Sequence, residues 1–191
     1  MNRSELRSKS GGFTLVELLA GILISGIVLT GLYSVFISQE RAFSAQERVA
    51  EMNQNIRAAM DLMTREIRLA GYKTSTATFT GIATAQASTI QVLADLNQDG
   101  DTADSNEDIT YSYNAGTLQI WRNYYTLPIA ENITSLSFTY RDANNNVTAT
   151  LANIRKVTLS IMARTAYPDP GTGLYGSITL TSDVTPRNLA S

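Results

Sequence analysis

Ser10-Gly11-Gly12-Phe13-Thr14-Leu15-Val16-Glu17-Leu18-Leu19 is the stretch that decides the architecture of this chain. Two glycines close a basic segment, an aromatic residue follows, and one carboxylate stands at the head of an apolar run. Upstream, residues 1–12 carry Arg3, Arg7 and Lys9 against Glu5, a net charge of +2. Downstream, residues 13–38 contain a single charged residue, Glu17, and residues 18–37 contain none. The 25 residues from 13 to 37 would span about 37 Å as a helix at about 1.5 Å per residue. A hydrocarbon core about 30 Å thick needs only about 20 of them. Positive charge ahead of such a run predicts a cytoplasmic N-terminus with the rest of the chain translocated.

Three readings of the rod compete. A cleaved secretory signal would have a shorter apolar region followed by a small-x-small site, and Ser34-Val35-Phe36-Ile37-Ser38 offers no convincing one. A plain single-pass anchor leaves Glu17 unexplained, because a carboxylate inside a bilayer helix costs about 2.5–3.5 kcal/mol on insertion scales and is usually functional. The blander alternative is a tolerated Glu near the interface, since Glu17 lies close to the start of the rod.

The third reading rests on the motif. Gly12, Phe13 and the following Thr14-Leu15-Val16-Glu17 resemble the type IV pilin class III signal. That resemblance implies a prepilin peptidase cutting between Gly12 and Phe13 on the cytoplasmic side and N-methylating Phe13. The mature chain would keep its rod and 179 of its 191 residues, and its net charge would move from −2 to −4. The resemblance also implies that Glu17 neutralises the terminal amine of a neighbouring subunit during packing. Gly21, Gly26 and Gly31 recur every five residues, a rotation of about 140° per step. They therefore form no single face and make a poor GxxxG stripe. Each costs about 1 kcal/mol of helix propensity, and together they are expected to let the helix soften when packed in a filament.

Composition narrows the rest. The chain has no His and no Cys, which excludes disulfides, thiolate metal sites and iron–sulfur clusters. It also excludes Ser–His–Asp triads and an imidazole base. A net charge of −2 and a pI near 5.2 argue against a nucleic-acid partner. The mean hydropathy of −0.07 averages over an apolar rod and a Thr-rich body. Residues 39–71 hold five bases and five acids, and residues 72–191 hold seven bases and ten acids.

Over 39–70 the apolar residues Phe43, Val49, Met52, Ile56, Met60, Met63 and Ile67 keep helical spacing. Neither Pro nor Gly interrupts residues 33–70, and Gly71 is placed to stop the helix. The stripe is expected to be core against the chain's own sheet rather than a partner surface. Thr64-Arg65-Glu66-Ile67-Arg68-Leu69-Ala70-Gly71-Tyr72, together with the tail Val184-Thr185-Pro186-Arg187-Asn188-Leu189, is similar to PilW-type minor pilins and to J-type pseudopilins of type II secretion.

Beyond Tyr72 the residues are rich in Thr, Ser, Ile, Val and Tyr. Strands are expected over 89–96, 108–113, 118–122, 133–140, 154–163 and 177–181. Asn114-Ala115-Gly116 and Asn144-Asn145-Asn146 read as hairpin turns, and residues 167–173 as a surface loop. Trp121, Tyr124 and Tyr125 fit sheet core better than an exposed adhesive patch. The expected fold is α+β and type IV pilin-like, with the C-terminal half of a long N-terminal helix packed on an antiparallel β-sheet domain. It divides into a leader (1–12), a membrane and assembly helix (13–38), an amphipathic continuation (39–71) and a β-rich body (72–191).

The body's most informative stretch runs from Asp95 to Asp108, with six carboxylates in fourteen residues. Asp95, Asn97, Asp99 and Asp101 alternate, and Gly100 sits among them. This is the opening of an EF-hand-like loop, with oxygen ligands at alternate positions and a Gly for the sharp turn. The full motif would place a Glu at 106, where Asn106 stands, and the flanks read as strands. A calcium loop between strands, closed by Glu107 or Asp104, is therefore weighed against a solvated acidic loop with Asx turns.

The function expected is a non-enzymatic minor subunit of a type IV pilus, placed near the tip to help initiate assembly. The alternatives are a J-type pseudopilin and a membrane-anchored, calcium-dependent adhesin that never polymerises. Implied partners are prepilin peptidase, other pilins in a filament, an inner-membrane assembly platform and membrane lipid. The implied location is the inner membrane, with the body outside the cytoplasm, and then the filament.

Overall fold

In a computed structural model of the chain, residues 11–74, 77–123 and 127–189 are described. A single helix, α1, covers Leu15–Leu69, 55 residues. It ends where Gly71 takes φ +79°, the left-handed C′ position that a Cβ disfavours. The Tyr72 N–H donates to the Leu69 carbonyl at 2.9 Å, satisfying one of the carbonyls that a helix end leaves open. The chain divides into two compact units, residues 1–44 and 45–191.

Among the described residues, seven strands form two antiparallel sheets. The first orders β1 (Ile82–Ala85), β2 (Thr89–Leu93), β3 (Asp108–Asn114) and β4 (Gln119–Arg122) as consecutive neighbours. The second orders β5 (Ile133–Arg141), β6 (Lys156–Arg164) and β7 (Ser177–Val184) in the same way. Two short 3₁₀ turns cover Leu151–Asn153 and Arg187–Leu189.

The α+β arrangement expected from the sequence is present, with the antiparallel body built as two sheets. The outer edge of β4 is taken by residues 129–130, through Ile120 N–H to Ala130 O at 3.0 Å and Ile129 N–H to Ile120 O at 2.9 Å. Asn132, at φ +57°, stands just before β5, which pairs with β6. β1 was not expected. Its Ile-Ala-Thr-Ala sequence has no alternation strong enough to distinguish it from loop. Residues 144–146 close only a local turn, with a bridge from Arg141 to Val147, because residues 142–155 lie between β5 and β6.

One apolar core joins α1 to both sheets. From Met52 onward the helical stripe is buried through Ile56, Ala59, Met60, Met63 and Ile67. Phe43 and Val49 are exposed, so the covered stripe is shorter than its periodicity suggested. Alternation supplies the sheet faces: Ile90 and Val92 on β2, Leu136, Phe138 and Tyr140 on β5, Val157, Leu159 and Ile161 on β6. An irregular register between Ile133 and Ser135 lets Ile133 and Leu136 both face inward. The sheets are tied by Tyr113 Oη to Ile133 O at 3.0 Å and Tyr140 Oη to Gln86 O at 2.8 Å.

Candidate functional site

The N-terminal segment starts from local chemistry. Thr14 precedes the first helical residue, Leu15, and Glu17 lies in the first turn. Glu17 Oε2 accepts from Thr14 N–H at 2.9 Å and from Thr14 Oγ1 at 2.8 Å. The Glu17 N–H donates to Thr14 Oγ1 at 3.2 Å. This is a capping box, in which each residue satisfies a polar group that the helix start leaves unpaired. Its Thr-x-x-Glu spacing was present in the sequence, but Glu17 was read there only through its charge.

Phe13 is 90% exposed, and the rod's large apolar side chains are exposed from Leu15 to Phe36. Among the described residues, this is the helix apolar and long enough to cross a membrane. Gly21 and Ser25 follow Glu17 at i+4 steps and help line a shallow groove of 570 Å³ bounded also by Phe13, Ile22 and Leu29. Gly21, Gly26 and Gly31 all lie inside α1. Thr30 and Ser34 return their hydroxyls to the Gly26 and Gly31 carbonyls, each at 2.8 Å, a bonding pattern that often bends helices. Of the leader, Gly11 and Gly12 are described; residues 1–10 lie outside the described residues.

The two remaining stretches that carried the family resemblance meet in space. A Cβ added at Gly71 would lie 2.8 Å from the Leu189 side chain, so the tail packs on the end of α1. Gly81 comes closer still. A Cβ there would lie 2.3 Å from Gly71 N and 2.5 Å from its Cα. The Gly71 N–H donates to Leu93 O at 2.8 Å and the Leu93 N–H to Gly81 O at 2.9 Å. Sequence reasoning did not find Gly81, whose neighbours give no turn signal.

Next to this junction, Glu66 of α1 receives Arg122 of β4 in a fork: Nε to Oε2 and Nη2 to Oε1, both at 3.1 Å. The Tyr111 hydroxyl of β3 donates to the same carboxylate, and Arg122 Nη2 also donates to Asn106 Oδ1 at 2.8 Å. The Arg122 and Glu66 side chains are 13% and 15% exposed. Burial, reinforced by the Glu66 carboxylate, pushes the Tyr111 hydroxyl well above the usual tyrosine range. Burial opposes the Arg122 charge, but the Glu66 carboxylate outweighs it and the guanidinium is held more firmly protonated.

The acidic loop sits beyond this network and is built around two buried carboxylates. Asp95 is 0% and Glu107 1% exposed. Asp95 Oδ2 accepts from Gly100 N–H at 3.1 Å, and Gly100 has the positive φ that its place in the loop requires, +102°. Glu107 Oε1 accepts from Leu96 and Asn97 N–H at 2.7 and 3.1 Å. Carboxylate oxygens of Asp95, Asp99 and Glu107 all lie within 4.8 Å of one another. The Asp99 carboxyl is held below the usual carboxylate range by the Asp101 N–H and then the Asn97 amide.

Of the residues singled out in the sequence, these three are the ones brought together. Asp101 Oδ1 turns to the Ala103 N–H at 2.8 Å. Asp104 accepts from the Asn97 amide at 2.6 Å, and Asn97 Oδ1 is occupied by the Asp99 N–H at 3.0 Å. Trp121 is half-buried; Tyr124 and Tyr125 lie outside the described residues.

An apolar helix headed by Thr-x-x-Glu behind a Gly–Phe junction, continued into an amphipathic half and followed by antiparallel sheets, defines a membrane-anchored, type IV pilin-like protein. The prokaryotic N-terminal methylation motif matches residues 7–33, which include Gly12, Phe13 and Glu17. A family model described as prepilin peptidase-dependent protein B matches residues 45–172, more than half of the chain. The chain belongs to that family, whose members are processed by prepilin peptidase. Comparison with curated proteins and with solved structures found no match.

Proposed function

We propose that this chain is a minor, tip-proximal subunit of a type IV pilus with no enzymatic activity. In this reading it is cut between Gly12 and Phe13, methylated at Phe13, and assembled with other pilins from an inner-membrane platform. The observation that carries the reading is Glu17, the one charged residue of the exposed apolar segment 13–38, held by Thr14 at the helix start.

The capping box describes how the isolated subunit tolerates that charge. A carboxylate offers about four acceptor positions, so the two Thr14 donors leave capacity for a neighbour's terminal ammonium. Cleavage before Phe13 spares Thr14 and creates that ammonium one helical turn from Glu17. Assembly would then add a charge-assisted bond, stronger than a neutral one, between subunits whose apolar rods pack together. The groove past Gly21 and Ser25 offers small side chains where a second helix approaches closely.

Replacing Glu17 by Ala tests the reading in cells, with membrane fractions and sheared filaments assayed together. The expected result is normal membrane insertion, with an N-terminus at methylated Phe13 by mass spectrometry, and loss from filaments. Filament incorporation at the wild-type level would refute the assembly role of Glu17 and favour the non-polymerising adhesin. Deleting the pilus or the type II secretion motor in turn separates pilin from J-type pseudopilin, by which deletion abolishes incorporation.

A further inference from the structure

We propose that residues 95–107 hold a calcium ion through the carboxylates of Asp95, Asp99 and Glu107. Each of the two buried carboxylates uses one oxygen to shape the loop: Asp95 Oδ2 takes the Gly100 N–H, and Glu107 Oε1 takes those of Leu96 and Asn97. The other oxygens, Asp95 Oδ1 and Glu107 Oε2, are buried and meet no hydrogen-bond donor among the described residues. A buried acceptor without a partner is costly, and here two such oxygens sit in neighbouring carboxylates joined by a third, Asp99. A cation answers both the missing donors and the crowding of like charge.

The donor set selects the ion. Only oxygens converge, and the chain has no His or Cys, so the site suits a hard cation rather than a transition metal. Carboxylate oxygens within 4.8 Å of one another can share one ion. A loop of carboxylates and carbonyls suits the flexible shell of calcium, with bonds of about 2.3–2.6 Å, better than magnesium, which demands a near-ideal octahedron at about 2.0–2.1 Å and keeps several waters. Loop carbonyls and water complete the shell.

The site also connects to the helix. Asn106 precedes Glu107 and accepts from Arg122, which grips Glu66 of α1. At the other end of the loop, the Asp95 N–H donates to Tyr72 O at 2.8 Å, just past the end of α1. An ion on Asp95 and Glu107 would therefore brace both loop ends against the region where helix and sheet join. This stands apart from the proposed role of Glu17 and is tested without filaments.

The experiment uses the full chain in detergent, stripped with chelator and probed with terbium(III). Gln98 Nε2 donates to Tyr72 Oη at 2.6 Å, so Tyr72 lies beside the loop and can sensitise terbium emission. We expect tyrosine-sensitised emission that calcium displaces and magnesium displaces at least about tenfold less well, and a thermal midpoint that rises with calcium. Asp99→Ala, at an exposed position, should weaken calcium at least about tenfold with unchanged circular dichroism. Asp101→Ala should leave binding unchanged, and Asp95→Asn should abolish it. Should Asp95→Asn not fold, the Asp99 and Asp101 pair decides. No displacement by about 10 mM calcium, equal displacement by magnesium, or equal loss in the Asp99 and Asp101 variants overturns the proposal.

Discussion

Replacing Arg122 by Ala removes both arms of the fork on Glu66, two contacts at 3.1 Å, together with the bond to Asn106. Hydrogen bonds to charged groups contribute about 1.5–3 kcal/mol each. Removing one partner of a buried ion pair costs about 3–5 kcal/mol, because the other charge is left stranded. Here the pair retains 13–15% exposure and the Tyr111 hydroxyl still donates to Glu66, so the lower end applies, about 3 kcal/mol. Glu66→Gln keeps the shape and loses only the charge, and should cost about 1–2 kcal/mol. The double variant Arg122→Ala, Glu66→Ala should cost less than the sum of its parts, with a coupling of about 1–3 kcal/mol. The assay is urea unfolding of the full chain in detergent, read by far-ultraviolet circular dichroism and by Trp121, the single tryptophan and the residue before Arg122. Urea is chosen because it does not screen the pair as a salt would. A loss below about 1 kcal/mol, or strict additivity, would show that the fork is a surface contact and refute the reasoning.

Gly81→Ala places a methyl group 2.3 Å from Gly71 N and 2.5 Å from its Cα; backbone cannot yield as a side chain tip can, so the thermal midpoint should fall by an amount corresponding to about 3 kcal/mol. The same substitution at Gly116, where the nearest atom is Asn114 Oδ1 at 3.2 Å, should cost less. Burial raises the Tyr111 and Tyr140 hydroxyls above the usual range. Their stabilisation is therefore complete below about pH 10, where unfolded tyrosine ionises, and is lost as pH rises beyond it. In an ultraviolet titration these two of the nine tyrosines should ionise only as the chain unfolds, and Tyr111→Phe should flatten the alkaline loss of stability.

Much of the site was legible because its chemistry is local. The apolar rod, the basic head and Glu17 are consecutive features, and a helix of 55 residues follows from an uninterrupted run without Pro. The capping box is equally legible, since Thr14 and Glu17 are three residues apart, the spacing of a helix start. The acidic loop was found by spacing. Which of its carboxylates converge was not, because Asp99 and Asp101 share the same alternating pattern and differ only in where the folded backbone sends them.

By itself the sequence determined the membrane helix, the amphipathic half with its stop at Gly71, a β-rich body, and a divalent-type loop as a candidate. These follow from periodicity, charge and turn chemistry, which act over a few residues. Only the tertiary structure decided that the body has two sheets and that Gly81 must be glycine against Gly71. It also joined Glu66 to Arg122, 56 residues apart, and left Asp95 and Glu107 each with one buried oxygen that meets no donor among the described residues. Those outcomes depend on which distant backbones approach and which side chains lose water together. Burial and hydrogen-bond satisfaction are properties of the packed chain, and no local pattern carries them.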